Sequence, residues 1–342
     1  MRVGLAKTRK EARMAGEADS SSRDNLLEML QECLDRGLEE QLVDDGQLVA
    51  EARWSNEGPV RDPFVDSPEP LVMRQRVLHW GALQKWTFQY LRDTCAMVRL
   101  PEDAHATKPS RECSLAELLT SVECGEAYLK DWWFQDDAPQ LLDDMELPRE
   151  FREDISQRLL GFRIMHLWAG GRGAKTRIHQ DEPDVHVWSA QVSGVKRWAL
   201  FPPNFLDDKL SQDANVFALL QRSARACGKV VTLFPGDVLI VPHKWFHSVR
   251  TLETGISVNG FHVTPDLLAP YLWTLMSWPL YFAGQVEGAV HLRDGCWSYM
   301  QRRVQYLQQR SKDYVMRPTQ ISRASAVDYI GETNDSPSPK VG

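Results

Sequence analysis

Thr176-Arg177-Ile178-His179-Gln180-Asp181 opens the stretch that decides the fold, and Trp245-Phe246-His247 closes it. Between them stand Gln191-Val192-Ser193-Gly194-Val195-Lys196-Arg197-Trp198, Phe201-Pro202-Pro203 and Pro235-Gly236-Asp237-Val238-Leu239-Ile240-Val241-Pro242. Short apolar and β-branched segments alternate here with turn residues, of which Ser193-Gly194 and Pro235-Gly236-Asp237 are the clearest. The pattern predicts strands over Thr176–Gln180, His186–Val192, Val195–Phe201, Lys229–Phe234, Val238–Val241, His247–Leu252 and Ile256–Val263. Closely spaced short strands of this kind point to a barrel or jelly roll.

His179 and Asp181 are two residues apart, and on a strand residues i and i+2 project from the same face. An imidazole nitrogen and a carboxylate oxygen are then able to meet one metal ion. Two histidines and one carboxylate on one face of an octahedron leave three positions open, the arrangement of non-haem Fe(II) oxygenases. The third ligand has to come from a distant strand folded back beside the first. His247 opens such a strand after the Gly236-Asp237 turn, and His243, in the loop before it, competes for the role. Taken alone, His-x-Asp is a weak signal in a chain with 9 histidines, where a histidine at a strand end is more often structural.

The context changes that balance. With Gln191 to Pro203, Gly236 to Pro242, Trp245-Phe246-His247 and Ile256-Ser257-Val258-Asn259, the sequence resembles the JmjC branch of the cupin superfamily, the 2-oxoglutarate-dependent oxygenases. Upstream, Glu69-Pro70-Leu71-Val72-Met73, Leu78-His79-Trp80 and Tyr128-Leu129-Lys130-Asp131-Trp132 look like the N-terminal part of small JmjC-only protein hydroxylases. The resemblance spans roughly residues 69 to 263. It implies a mainly β fold with flanking helices around a double-stranded β-helix, with Fe(II) on His179, Asp181 and His247.

The resemblance also implies 2-oxoglutarate as cosubstrate, O2 as oxidant and ascorbate as reductant. Lys196 matches the family position that binds the distal carboxylate of 2-oxoglutarate, a role that suits a compact ammonium. Its neighbour Arg197 should face the opposite way. Thr176 falls at a cosubstrate-binding threonine position, and Asn259 and Tyr128 are candidates for lining the same pocket. Ser189 falls where some relatives have asparagine, a departure that weakens its cosubstrate role. His186 and Trp188 are expected beside the pocket, whereas His166 and His262 read as ordinary strand positions. The implied activity is hydroxylation of a protein side chain. Lysine demethylation and a non-catalytic JmjC-fold binding module are the alternatives.

Outward from this core, residues 1–23 read as a disordered tail and 24–68 as an N-terminal helical extension, with Leu26, Leu27, Leu30, Leu34, Leu38 and Leu42 at helical spacing. The β-helix domain is placed at 69–264, a C-terminal helical segment at 265–317 and a Ser/Pro-rich disordered tail at 318–342. Leu71–Val77 and Ala96–Leu100 read as strands, Trp80–Cys95 as a helix, and Pro148–Leu160 as helical. Ser114 with Glu117 three residues on forms a capping box. Gly170-Gly171-Arg172-Gly173 is a turn, not a phosphate loop, because strand-like residues follow it.

Composition bounds the rest. The 342 residues carry a formal net charge of −7, which argues against bulk nucleic-acid binding. No apolar run reaches membrane-spanning length. The 6 cysteines are irregularly spaced and read as free thiols in a reducing compartment, nucleus or cytoplasm. The expected partner is a protein or peptide substrate. The acidic loop Asp136-Asp137 and Asp143-Asp144 is read first as solvated and second as an attractor of a basic substrate. The C-terminal helices are a candidate homodimer surface.

Overall fold

A computed structural model of the chain describes residues 23–52, 62–101, 112–151, 154–160, 163–181, 185–206 and 216–273. Residues 1–22, the 265–317 helical segment beyond Trp273, with its expected helix over Trp297–Tyr314, and the 318–342 tail lie outside the described residues.

The strands are β1 (Ala50–Ala52), β2 (Leu71–Met73), β3 (Arg99–Pro101), β4 (Glu112–Ser114), β5 (Tyr128–Trp132), β6 (Met165–Gly170) and β7 (Lys175–His179). They continue with β8 (His186–Gln191), β9 (Val195–Phe201), β10 (Lys229–Leu233), β11 (Val238–Val241), β12 (Phe246–Glu253) and β13 (Gly255–His262). A larger sheet runs β1-β2-β11-β8-β13-β6-β5 and a smaller one β10-β9-β12-β7. From β6 onward the chain passes back and forth between the two sheets, which is the double-stranded β-helix.

The pleat divides each strand between an inner and an outer face. Val187, Leu239, Val241, Trp198, Leu200, Val231, Leu233 and Val249 fill the space between the sheets. The outer face of the larger sheet, with Trp188, Ala190, Val238, Ile240, Ile256 and Val258, is covered by the segments from Phe64 to Phe151. The outer face of the smaller sheet receives a helix over residues 23–35, a second at Leu38–Asp44, and the helix Val216–Cys227. Leu26, Leu30, Leu34, Leu38 and Leu42 are all buried there, each contributing roughly 1.5–3 kcal/mol by removal from water. The break between the first two helices falls at Gly37, with φ 98°, a left-handed backbone that favours glycine.

The Ser193-Gly194 hairpin works for a similar reason. Gly194 has φ 69°, and a Cβ there would lie 2.4 Å from the carbonyl oxygen of Thr254. The loop can therefore press against the β12–β13 turn only without a side chain.

The expected strand Leu71–Val77 stops at Met73. Gln75 has φ 58°, and its N–H donates to Asp237 Oδ1 at 3.0 Å, turning the chain away from the sheet. The expected helix Trp80–Cys95 is two short helices, Ala82–Lys85 and Phe88–Thr94, the second newly capped by Thr87. Likewise Pro148–Leu160 resolves into a 3-10 turn at Arg149–Phe151 and a helix at Ile155–Leu160. The capping box at Ser114 and Glu117 heads the helix Leu115–Glu123. No described helix is long and apolar enough to cross a membrane, and none of the five described cysteines is in a disulfide among the described residues.

Candidate metal centre

β7 and β12 are antiparallel neighbours, and His179 and His247 are Cα partners in their ladder. That register brings the two rings to a centroid separation of 4.3 Å. Asp181 lies past the end of β7. Its approach to His179 therefore comes from the chain leaving the sheet, not from the same-face rule applied along a strand. Asp181 Oδ1 is 3.5 Å from His179 Nε2 and Oδ2 is 3.3 Å from His247 Nε2. One ligand atom from each of the three residues lies within 4.8 Å of the others, and this trio could hold a metal ion.

The backbone sets both histidine tautomers. His179 Nδ1 is 2.8 Å from the carbonyl of Arg177, and His247 Nδ1 is 3.2 Å from the carbonyl of Trp245. A carbonyl only accepts, so each Nδ1 carries the hydrogen and each Nε2 lone pair turns toward Asp181. Second-shell bonds of this kind orient metal-bound imidazoles.

The electrostatics follow from burial and proximity. Burial opposes the charge on Asp181, but His247 and His179 outweigh it and hold the carboxyl at about 2. Burial and the neighbouring His179 push His247 down to about 4. Burial also works against protonated His179, but a ring protonated at Nε2 would donate to Asp181, and that bond together with the carboxylate charge prevails and raises it. An anionic carboxylate facing imidazole lone pairs is a donor set that suits a divalent cation.

Beside the trio opens a pocket between the two sheets. The smaller sheet supplies Thr176, Lys196, Trp198 and Val249, and the larger sheet supplies Val187, Asn259 and Phe261 with Tyr128, Asp131, His166 and Trp168 from β5 and β6. Lys196 is buried, with Nζ 2.7 Å from Ser257 Oγ and 3.5 Å from Tyr128 OH. Burial pushes its amine down to about 7. Arg197, one residue on, faces outward to Thr232 Oγ1 at 3.3 Å and Glu40 at 3.7 Å. Thr176 Oγ1 is 3.5 Å from Tyr128 OH, and burial pushes the Tyr128 phenol above its ordinary range.

Three expected site residues are placed elsewhere. Ser189 is fully buried and stands behind the pocket wall, its Oγ 2.7 Å from Asn259 Oδ1. It props Asn259 instead of lining the pocket. Trp188 and His186 point to the outer face, because Val187 between them points in. Trp188 lies across Gly260, where a Cβ would come within 2.3 Å of its ring, and stacks on Phe151 with centroids 5.3 Å apart. His186 bonds Thr264 Oγ1 at 3.2 Å, and its Nδ1 accepts from the N–H of His243 at 3.3 Å. That contact places His243 away from the trio as well.

The acidic loop is not a solvated attractor throughout. Asp144 is buried and accepts from Lys85, from Trp86 Nε1 at 2.9 Å and from Tyr90 OH at 3.1 Å. Conversely, sequence reasoning missed Asp131, His166 and Trp168 as pocket residues. Asp131 sits at a ladder irregularity in β5 with φ 49°, and its Oδ1 is 3.7 Å from His166 Nδ1. The inward alternation of His166 and Trp168 along β6 was the available signal.

Residues 59–266 match the family model described as cupin-like domain, and the chain belongs to that family. Among its relatives are arginine-specific demethylase JMJ22 of Arabidopsis thaliana, 24% identical over 228 residues, covering 57% of this chain and 42% of that protein. Lysine-specific demethylase 8 of Xenopus tropicalis is 24% identical over 229 residues, covering 58% and 49%. The human 2-oxoglutarate and iron-dependent oxygenase JMJD4 is 26% identical over 220 residues, covering 53% and 52%. The JmjC resemblance read from the sequence agrees with these relatives. The chain spans about half the length of the relatives it matches.

Proposed function

We propose that this chain is an Fe(II)- and 2-oxoglutarate-dependent dioxygenase that hydroxylates a protein side chain. The observation that carries the reading is Lys196. It is an amine buried in the pocket, its charged form disfavoured by burial, and none of the ion pairs among the described residues involves it. Its polar contacts, Ser257 and Tyr128, are neutral hydroxyls. Two further donors lack an acceptor nearby: the indole N–H groups of Trp168 and Trp198, both on pocket-lining residues, are buried without a hydrogen-bond partner among the described residues. Buried donors left unpaired are costly, and a dicarboxylate entering this pocket would bring Lys196 a counter-charge and set acceptors beside the residues that carry these donors.

In this reading His179, Asp181 and His247 hold the iron, and Lys196 fixes the far carboxylate of 2-oxoglutarate, with Thr176, Tyr128 and Asn259 completing the wall. When bound, iron and 2-oxoglutarate supply the activation of O2 that places one oxygen atom on a C–H bond, with succinate and carbon dioxide as co-products. The chain's own residues do the positioning. Arg177 and Trp245 carbonyls fix the imidazoles, Ser189 fixes Asn259, and Val187, Val249 and Phe261 keep water from the cleft. Asp131, in the pocket wall, supports a basic side chain as substrate.

The names of the relatives support demethylation as a second reading, because hydroxylation of an N-methyl group releases it as formaldehyde. The purified chain with Fe(II), ascorbate and 2-oxoglutarate is expected to form succinate, and His179→Ala to abolish it. Mass spectrometry of a basic peptide pool separates gain of one oxygen atom from loss of a methyl group. Absence of iron-dependent turnover with every peptide would overturn the reading in favour of a binding module.

A further inference from the structure

We propose that Gln31, on the helix over residues 23–35, is a positioning residue that holds His179 in line with Asp181 and His247. The inference rests on the reading of that trio as a metal centre.

β7 is the outer edge of the smaller sheet and has β12 as its sole strand neighbour there. Its ladder is irregular. His179 pairs with His247 and Thr176 with Val249, so Arg177 and Ile178 together stand opposite Ser248. Such a bulge re-aims the side chain next to it and takes backbone groups out of the ladder. Here both bulge residues are committed. The Arg177 carbonyl accepts from His179 Nδ1 at 2.8 Å. The Ile178 N–H donates to Gln31 Oε1 at 2.8 Å. Gln31 is buried at 6% exposure, so water does not compete for the bond.

The helix and β7 also pair along their length. Arg23 reaches Gln180, Glu28 lies 2.5 Å from Arg177, and Asp35 lies 2.6 Å from Lys175. The helix therefore runs antiparallel to β7, lying on the outer face of the sheet beside its edge strand. The ion pairs are exposed and individually weak. The buried Gln31 bond, one residue before His179, is where the helix and the metal centre are joined.

The test is Co(II) binding to the full chain, read by titration and by the visible spectrum of the bound ion. Gln31→Met keeps the side-chain length and removes the acceptor. It is expected to weaken Co(II) binding about 10-fold, the scale of lost support behind a metal ligand, and to shift the spectrum. Leu34→Ala, which opens the apolar stripe of the same helix, is the control. It is expected to lower the melting temperature while leaving affinity and spectrum near wild type. Should Gln31→Met fail to fold, Gln31→Asn, whose carbonyl falls one methylene short of Ile178, carries the same comparison.

Wild-type affinity and spectrum in the Gln31 variant would overturn the inference. So would equal losses in Leu34→Ala, since the effect would then be one of helix docking in general. Failure of the wild-type chain to bind Co(II) would instead overturn the metal-centre reading beneath it.

Discussion

Lys196 Nζ and Ser257 Oγ lie 2.7 Å apart, a contact made across the interior between strands of opposite sheets. The amine buried in the pocket thus rests on a hydroxyl, and its full charge awaits an anion. Lys196→Met is expected to raise the 2-oxoglutarate concentration needed for half-maximal succinate formation by about 10- to 100-fold, the range of a lost charge-assisted hydrogen bond of about 1.5–3 kcal/mol. The iron requirement should change far less. Burial already pushes this amine down to about 7, so the same substitution should raise the melting temperature of the ligand-free protein. An unchanged cosubstrate requirement would remove Lys196 from the site.

Asp181 is the anionic member of the trio, and the two Nε2 atoms face it at 3.3 and 3.5 Å. Asp181→Ala should lower Mn(II) affinity by more than about 100-fold, exceeding the cost of losing a supporting residue. Calorimetric titration measures this directly, and retention of wild-type affinity would refute the ligand assignment.

Acid should destabilise the fold through two histidines outside the pocket. Burial, then His186 and Arg163, push His262 down to about 3, and burial, then His243, push His186 down to about 4. Both folded values lie below the ordinary 6.5, so the unfolded chain binds more protons as the pH falls beneath 6.5. Stability is therefore lost from about pH 6.5 down toward pH 4, at up to about 1.4 kcal/mol per pH unit for each group. His262 stacks on Phe64 with centroids 3.9 Å apart, and neither ring nitrogen has a partner among the described residues. His262→Phe keeps the stack and removes the proton site. Urea midpoints at pH 7.5 and pH 5 should show a smaller acid loss in the variant, by about 2 kcal/mol. Equal losses would rule out His262 as a source.

Arg76 and Glu150 form a buried ion pair, with Nη2 2.8 and 2.9 Å from the two carboxylate oxygens. Arg76→Met leaves a buried carboxylate without its partner and should cost about 3–5 kcal/mol. Replacing both, as Arg76→Met with Glu150→Leu, should restore most of that in a denaturation experiment. A double variant no better than the single would mean that packing, not charge, makes the site sensitive.

The strands of the β-helix were legible because alternation of apolar residues and glycine turns is local. Lys229–Leu233 and Val238–Val241 stand within a residue of where the pattern put them. His179, Asp181, His247 and Lys196 were legible through motif and family resemblance, and the structure brings them to one pocket. Trp188 and His186 were misplaced because closeness along β8 was read as closeness to the pocket, whereas the pleat turns both outward; Ser189, marked by its family position with a weakened role, stands behind Asn259. Asp131, His166 and Trp168 were missed for the converse reason. They reach the site through sheet neighbours: the alternation of His166 and Trp168 along β6 was readable, but the β5–β6 pairing that sets them and Asp131 beside the trio is not visible in linear order. Burial of Asp144 was equally hidden, since a carboxylate in a polar loop gives no sign of the indole and phenol that receive it.

The pocket draws its walls from both sheets, with Lys196, His179 and His247 on one side and Asn259, His166 and Trp168 on the other. A nascent chain that has closed only one sheet owns only part of this equipment. The metal trio needs only the smaller sheet and the chain leaving β7, whereas the pocket beside it exists only where the two sheets face each other. Binding at the trio and binding in the pocket are therefore separable by damage to the larger sheet alone.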